Sequence, residues 1–466
     1  MYDLLVGHKA GEGLEAVGGV AFPNEHACEG RSGERPSALF ATGSSGGTIA
    51  AVRLLGAAGI DVGVLSSQRF TAAAWSRRAA RSYSAPSEKD SDRFVKRLLE
   101  IGAERPGQVL IPTSDETVWL YTLHAAQLKR YFFLNQPSVE SIRSILDKQL
   151  FAEAAIKAGV AVLPSWESRT LDDLVALAPS LPYPILIKPR THVHRLRNDK
   201  GMVAHSEGEL VELYKRFLDR ELFLGDNEHL PDASRPVLQQ FVDTPAEGVY
   251  SVSGYIDRSG ELFVTRVASK IFQRSRPAGV GICFESRPAD AALSSAVYRL
   301  CRSLDYSGMF EVEFIRFDGR WAAIDFNARL FNQIGMDIAR GMPLPLFAYL
   351  DAIGEEAALR EAVTRAQATD EDAPFVFYDR FTLRAILAAK TLTGRISLKE
   401  RRNWRAWASK NAGRSIDFAS DTEDRMPGVI HALSEIYLGI RAFPRFLRST
   451  PRAAAGPESA LAKVRP

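Results

Sequence analysis

Cysteine is scarce in this chain: Cys28, Cys283 and Cys301 are the only three among 466 residues, and they lie far apart. That spacing excludes a disulfide framework and a zinc-ligand cluster, and it points to a reducing, cytoplasmic setting. Charge of one sign is also lacking. A net charge of +3 is too small to argue for a nucleic-acid partner. No uninterrupted apolar run is long enough to span a bilayer, so no transmembrane segment is expected. The opening Met1-Tyr2-Asp3-Leu4-Leu5-Val6-Gly7-His8 has no basic stretch leading into an apolar one, and no secretory signal is read there. There is no internal repeat and no Ser/His/Asp nucleophile set. What remains is a globular composition, 46% hydrophobic and 25% charged. Its length suits roughly two to four domains with a sizeable core.

The first clear unit is a βαβ opening. Ala38-Leu39-Phe40-Ala41-Thr42 reads as a strand. Gly43-Ser44-Ser45-Gly46-Gly47-Thr48 is a turn, and an apolar helix runs from Ile49 to Ala58, stopped by Gly59. Ile60 to Leu65 is the next strand, and Val109-Leu110-Ile111-Pro112 leads into Thr113-Ser114-Asp115-Glu116. Strand and helix alternate to about residue 135, which implies a doubly wound parallel sheet. The glycine turn does not match the G-x-G-x-x-G dinucleotide pattern, and tight strand-to-helix passage is the simpler reading. Ser44-Ser45 and Thr113–Glu116 belong at the carboxyl edge of that sheet, where ligands usually sit. Residues 146–159 form an amphipathic helix with a glycine stop. From 160 to 350 strands predominate, with helices at 207–222 and 291–304. Residues 355–450 are largely helical and basic, with aromatic residues interleaved around Trp404 and Trp407 and again at Phe443 and Phe446.

The densest chemistry lies between Phe310 and Arg329. Side chains alternate faces along a strand, so Glu311 and Glu313 share one face, opposite Phe310, Val312 and Phe314. Asp325, Asn327 and Arg329 share a face of the following strand, and Asp318-Gly319 is the turn between the two. A two-residue turn would set Glu313 and Asp325 on opposite faces. A three-residue loop with a left-handed glycine would put all the polar groups on one side. The odd loop is expected, because the other choice buries either the apolar set or unpaired carboxylates. Clustered oxygen ligands suit Mg²⁺ (or Mn²⁺) held together with substrate phosphates. An ordinary exposed hairpin facing water is the alternative reading.

Two lysines and an amide-bearing strand precede that hairpin. Lys148 follows Asp147 early in its helix. Pro184-Ile185-Leu186-Ile187-Lys188 is a buried-type strand ending in a cation, which either snorkels to solvent or aims a point charge at phosphate. Val237 to Val242 carries Gln239 and Gln240 inside an apolar run. Val249–Asp257 and Glu261–Lys270 read as a hairpin, and Lys270, Arg274 and Arg276 form a basic segment.

The ordered set resembles the ATP-grasp superfamily over roughly residues 38–350, closest to its carboxylate–amine ligase branch, the D-aspartate-ligase-like and carbamoyl-phosphate-synthase-like proteins, with biotin carboxylase as a relative. In place of the family's Glu-x-Asn-x-Arg, this chain reads Asp325-Phe326-Asn327-Ala328-Arg329, with Glu313 twelve positions earlier. The resemblance implies an α/β and α+β chain with an ATP-grasp fold. It divides into a lead segment (1–36), an N-terminal Rossmann-like domain (37–135), an ATP-grasp domain with its cleft between two subdomains (136–354), a helical region (355–450) and a disordered tail (451–466). It implies ATP and Mg²⁺ as cofactors, small-molecule carboxylate and amine substrates, and a homodimer as one assembly. Lys148 and Lys188 would bind phosphates, joined by Lys270. Gln239 would reach adenine, helped by the backbone of Gln240 and Val242, and Glu247 is a candidate ribose contact. Glu313, Asp325 and Asn327 would hold the metal. Arg329 would steady the acyl phosphate, and Arg274 and Arg276 the transferred phosphate. The loop after Lys188 has one glycine, Gly201, where the family has several, so side chains such as His194, Arg195 or Lys200 would replace backbone cradling there. Residues 190–225 are the expected lid. Biotin-carboxylase-like bicarbonate activation and non-catalytic ATP binding are the alternatives; no Ala-Met-Lys-Met biotin site is present.

Overall fold

The structure, a computed structural model, describes residues 35–41, 43, 45–68, 70–195, 201–220, 229–243, 248–273, 280–369 and 374–448. Three sheets organise it. The first consists of β1 (Ala38–Phe40), β2 (Val62–Ser66), β3 (Arg81–Ser84), β4 (Gln108–Ile111) and β5 (Phe132–Phe133), all parallel in the order β3-β2-β1-β4-β5. β1 is apolar throughout, and β2 and β4 carry one polar residue each at an end, Ser66 and Gln108, because both faces of the sheet are covered. The order reverses between β1 and β4. The crevice at such a switch point opens at the carboxyl ends of those two strands.

A second, antiparallel sheet has the order β6-β9-β7-β8, from β6 (Ser165–Trp166), β7 (Ile185–Lys188), β8 (Met202–Ala204) and β9 (Val237–Gln240). Ile185, Ile187 and Leu238 pack there against Leu174 of the helix Leu171–Leu177 and against Leu210, Tyr214 and Phe217 of the helix Glu207–Arg220. The third sheet is the largest, β14-β13-β10-β11-β12-β15-β16. Its strands are β10 (Val249–Ile256), β11 (Phe263–Gln273), β12 (Gly281–Arg287), β13 (Gly308–Phe317), β14 (Arg320–Asn327), β15 (Val376–Tyr378) and β16 (Ser415–Asp417). Phe310, Val312 and Phe314 point into a core shared with Phe151, Val297 and Phe326.

One expectation is extended here and one is corrected. The region after residue 355 contributes β15 and β16 to the main sheet as well as helices; three-residue strands are too short for a period to show in sequence. The β13–β14 connection is also not an odd loop. Phe317 pairs with Arg320, and Asp318 and Gly319 both have left-handed φ, 47° and 72°, which is the two-residue hairpin turn. Parity is restored one step further on. Glu313 pairs with Asp325 but Phe314 pairs with Ala323, so Ile324 is an extra, bulged residue. The bulged strand is held from outside: the Ala323 N–H donates to the Ala161 carbonyl at 2.8 Å, and Ala323 bridges Val162.

Candidate functional site

The bulge puts Glu313 directly across from Asp325 and Glu311 across from Asn327. Facing carboxylates repel, and each is matched by an ammonium group. Lys270 Nζ of β11 donates to Glu313 Oε1 at 2.8 Å. Lys148 Nζ pairs with Asp325. Lys148 opens the helix Lys148–Lys157, whose N-cap Asp147 accepts from the Gln149 and Leu150 N–H groups. A cation in the first turn opposes the helix dipole, so this lysine is placed by its carboxylate rather than by helix stability. The Lys148 N–H donates to the Arg190 carbonyl (2.9 Å), and Arg190 Nε donates to Asp147 Oδ2 (2.8 Å). Those bonds tie the helix start to the chain just beyond Lys188. Lys188 itself donates to Gln239 Oε1 (3.0 Å), and Gln239 Nε2 donates to Ser165 Oγ (3.2 Å).

Arg329 joins the hairpin to the first sheet. Its Nε donates to Asp115 Oδ1 (2.8 Å) and its terminal nitrogens to Asn327 Oδ1 (2.7 Å) and the Leu330 carbonyl (3.0 Å). The Leu330 N–H donates to the Pro112 carbonyl at 3.1 Å. The strand end carrying Arg329 therefore docks on the loop after β4, at the switch point. The glycine turn after β1 meets the same segment. A Cβ on Gly47 would lie 2.5 Å from the Phe331 carbonyl oxygen, and one on Gly46 would lie 2.6 Å from the Phe418 ring. Close backbone approach is what these glycines provide.

Burial sets the local electrostatics. Glu311 is 3% exposed, and it accepts from Ser251 Oγ, Gln333 Nε2 and, at 3.0 Å, Asn327 Nδ2. Burial, with the neighbouring Glu313 charge, pushes its carboxyl up to about 7. Burial would also raise Asp115, but Arg329, His192 and Lys148 outweigh it and hold that carboxyl below its ordinary value. Lys270 and Arg329 are both raised: burial opposes their charge, and Glu313 and Asp115 respectively outweigh it.

The expected residues fall into distinct groups. Lys148, Lys270, Glu313, Asp325, Asn327 and Arg329 come together in one charged network, and Lys188 and Gln239 form a pair on the small sheet. The Gln240 N–H is committed to the Pro164 carbonyl (2.9 Å), and Val242 packs with Leu163, Ile315 and Ala322 just past β9. Arg274, Arg276, Glu247 and Lys200, and parts of the expected lid, lie outside the described residues. His194 and Arg195 are buried rather than turned to a phosphate cleft. His194 reaches Glu116 through its N–H (3.0 Å) and its Nδ1 (3.3 Å), because Glu116, 5% exposed, needs partners there. Sequence reading singled out Asp115 only as part of a loop, and missed Ser251 and Gln333. Asp115 had the signal of lying at a strand's carboxyl end; Gln333, in the turn that caps the helix Ile334–Ala339, had none.

Among the described residues, no three His, Cys, Asp or Glu side chains are gathered to hold a metal ion by themselves. Glu313 and Asp325 with the Asn327 amide make an oxygen-only set, which fits Mg²⁺ when substrate phosphates complete the shell. Among the described residues, no helix is long and apolar enough to cross a membrane.

No family model matches the chain. A stretch of 121 residues, 25% of the chain, is 32% identical to the carbamoyl phosphate synthase large chain of Thermomicrobium roseum, and spans 11% of that protein. The L-amino acid ligase of Bacillus licheniformis is similar in structure with a TM-score of 0.55 at 14% identity, over 71% of this chain and 77% of that one. The biotin carboxylase domain dimer of the Hydrogenobacter thermophilus 2-oxoglutarate carboxylase, in complex with MgADP, ADP and bicarbonate, also gives 0.55, at 15% identity over 68% of this chain and 70% of that one. At such identities the likeness speaks for architecture. The chain therefore shares its overall fold with these two enzymes, in line with the ATP-grasp architecture expected from sequence.

Proposed function

We propose that the protein is an ATP-dependent carboxylate–amine ligase. A substrate carboxylate takes the γ-phosphoryl group of ATP, giving an acyl phosphate and ADP. An amine then displaces phosphate to form the amide. The carrying observation is the cross-strand pair Glu313–Asp325, held face to face by the Ile324 bulge, each carboxylate meeting a lysine from a different element.

Phosphoryl transfer needs alignment and charge neutralisation more than covalent help. Lys148 and Lys188 bind the phosphates, Lys148 exchanging Asp325 for the incoming anion. That exchange frees Asp325, which together with Glu313 and Asn327 would hold Mg²⁺ or Mn²⁺; the ion would supply further neutralisation when bound. Lys270, with Arg274 and Arg276, would neutralise the transferred phosphate. Gln239, the Gln240 carbonyl and Val242 take the adenine, and Glu247 the ribose. Arg329, oriented by Asp115, steadies the substrate carboxylate and then the acyl phosphate. The nucleotide lies between the four-stranded and seven-stranded sheets, and segment 190–225, moving with the four-stranded sheet on which its helix Glu207–Arg220 packs, closes over it to keep water from the acyl phosphate. The acid and amine are small molecules, and the working form is a cytoplasmic homodimer.

The test is ADP production from Mg-ATP with pooled acids and amines. Sustained ADP production, in excess over enzyme, should require both an acid and an amine. Lys188→Ala should reduce it by about 100-fold or more, and Glu313→Gln should lower it and raise the Mg²⁺ requirement. Wild-type turnover in both variants would overturn the assignment, and ADP formation that needs only bicarbonate would replace it with carboxylase-type chemistry.

A further inference from the structure

Two neighbouring acids open the helix Asp115–Leu123, and each reaches a different part of the molecule. Asp115 accepts from Arg329 Nε (2.8 Å). Glu116 accepts the His194 N–H with both carboxylate oxygens (3.0 Å each), and His194 Nδ1 lies 3.3 Å from Oε1. Adjacent residues on a helix point to different sides, so this helix start stands between the acidic hairpin and the segment that follows Lys188. His194 meets Glu116 with a left-handed backbone, φ 57°, a conformation that a residue with a Cβ keeps only when its surroundings hold it there.

Those surroundings tie the segment at both ends. Val193 is fully buried in one core with Val118 and Trp119 of the same helix. Ser91 Oγ lies 3.5 Å from His194 Nδ1, and Lys89 Nζ donates to the Arg195 carbonyl. At the other end, the Arg190 carbonyl accepts the Lys148 N–H and Arg190 Nε donates to Asp147. The segment 190–225 is therefore anchored at its start. A closed circuit results. It runs from Lys148 to Asp325 and along the hairpin to Arg329 and Asp115. From there it returns through Glu116 and His194 to Arg190 and the Lys148 N–H.

We propose that Glu116 is a positioning residue for phosphoryl transfer: by clasping His194 it holds Arg329 in register with Lys148. The inference rests on the ligase reading, in which Lys148 gives up Asp325 for phosphate. Once that ion pair opens, the path through Glu116 still joins the two cations. Glu116 is 5% exposed and acts through Asp115 and Arg329. Its loss should slow the chemistry and leave nucleotide affinity alone.

The test is hydrogen exchange of the full-length protein with saturating Mg-ATP, read by mass spectrometry for the peptides carrying His194 and Leu330, beside calorimetric titration of Mg-ATP. Glu116→Met fills similar volume without an acceptor, and should speed exchange by ~10-fold or more at both peptides. The strand β11 should exchange as in the wild type, and Mg-ATP affinity should be unchanged. In ADP production from pooled acids and amines, kcat should fall by ~10-fold or more with the KM for Mg-ATP unchanged. Glu116→Gln keeps one acceptor oxygen for the His194 N–H, so it should show smaller changes of the same kind. Faster exchange at His194 without any change at Leu330, in either variant, would overturn the proposal. So would acceleration that includes β11, which is general loosening. Failure of the wild type to bind Mg-ATP would overturn the ligase reading and this inference with it, whereas normal binding with an unmoved Leu330 peptide overturns the inference alone.

Discussion

Glu311 concentrates the residue-scale physics of this site. It is the buried acid beside the Glu313–Asp325 pair, and it accepts a hydrogen bond from the Asn327 amide. Its carboxyl is raised to about 7, so between the ordinary carboxylate range and that value the folded protein holds a proton that the unfolded chain releases. Stability contributed by this group is therefore present at low pH and declines as pH rises from about 5 towards 7. Glu311→Gln should flatten the melting temperature across that window when measured by calorimetry. An unchanged slope would mean that other groups set it. Arg329 makes a second point. Read from sequence it is a candidate contact for the acyl phosphate. In the structure it also joins two sheets, through Asp115, Asn327 and the Leu330 carbonyl.

At the scale of elements, alternation makes the acidic faces legible in sequence, because the apolar and charged sets of Phe310–Phe314 cannot share a side. The Asp318-Gly319 turn is equally legible as a local signal. The bulge at Ile324 is not, since it is fixed by the Ala161–Val162 segment, more than 150 residues away in sequence. Lys148 and Lys188 can be picked out as cations, but the bonds through Asp147 and Arg190 that tie them together cannot. The glycine turn after β1 has a simple test. Gly47→Ala would push a Cβ against the Phe331 carbonyl, and backbone can give way only by moving the segment that carries Arg329. A stability loss of about 1–3 kcal/mol is expected in denaturant titration, together with slower ADP formation. Wild-type behaviour would show that the close approach is unimportant.

Across the whole molecule, the chain's later half is fastened back onto its first sheet. Asp424 accepts from Arg53 Nε (2.9 Å), Ser76 Oγ (2.7 Å) and the Arg77 N–H (2.9 Å), and β15 and β16 extend the sheet that carries the acidic hairpin. Long-range fastening of this kind is invisible to local pattern, which is why the C-terminal region reads in sequence only as helical and basic. The fold thereby brings the switch-point loop, the hairpin and the lysine-bearing elements into one place, and nucleotide binding is the consequence to measure. Titration calorimetry of Mg-ATP into the wild-type protein and the Lys148→Ala/Lys188→Ala variant tests this most directly. Saturable binding to the wild type, weakened by ~10-fold or more in the variant, is expected. Equal affinity in both proteins, or no binding to either, would contradict the site.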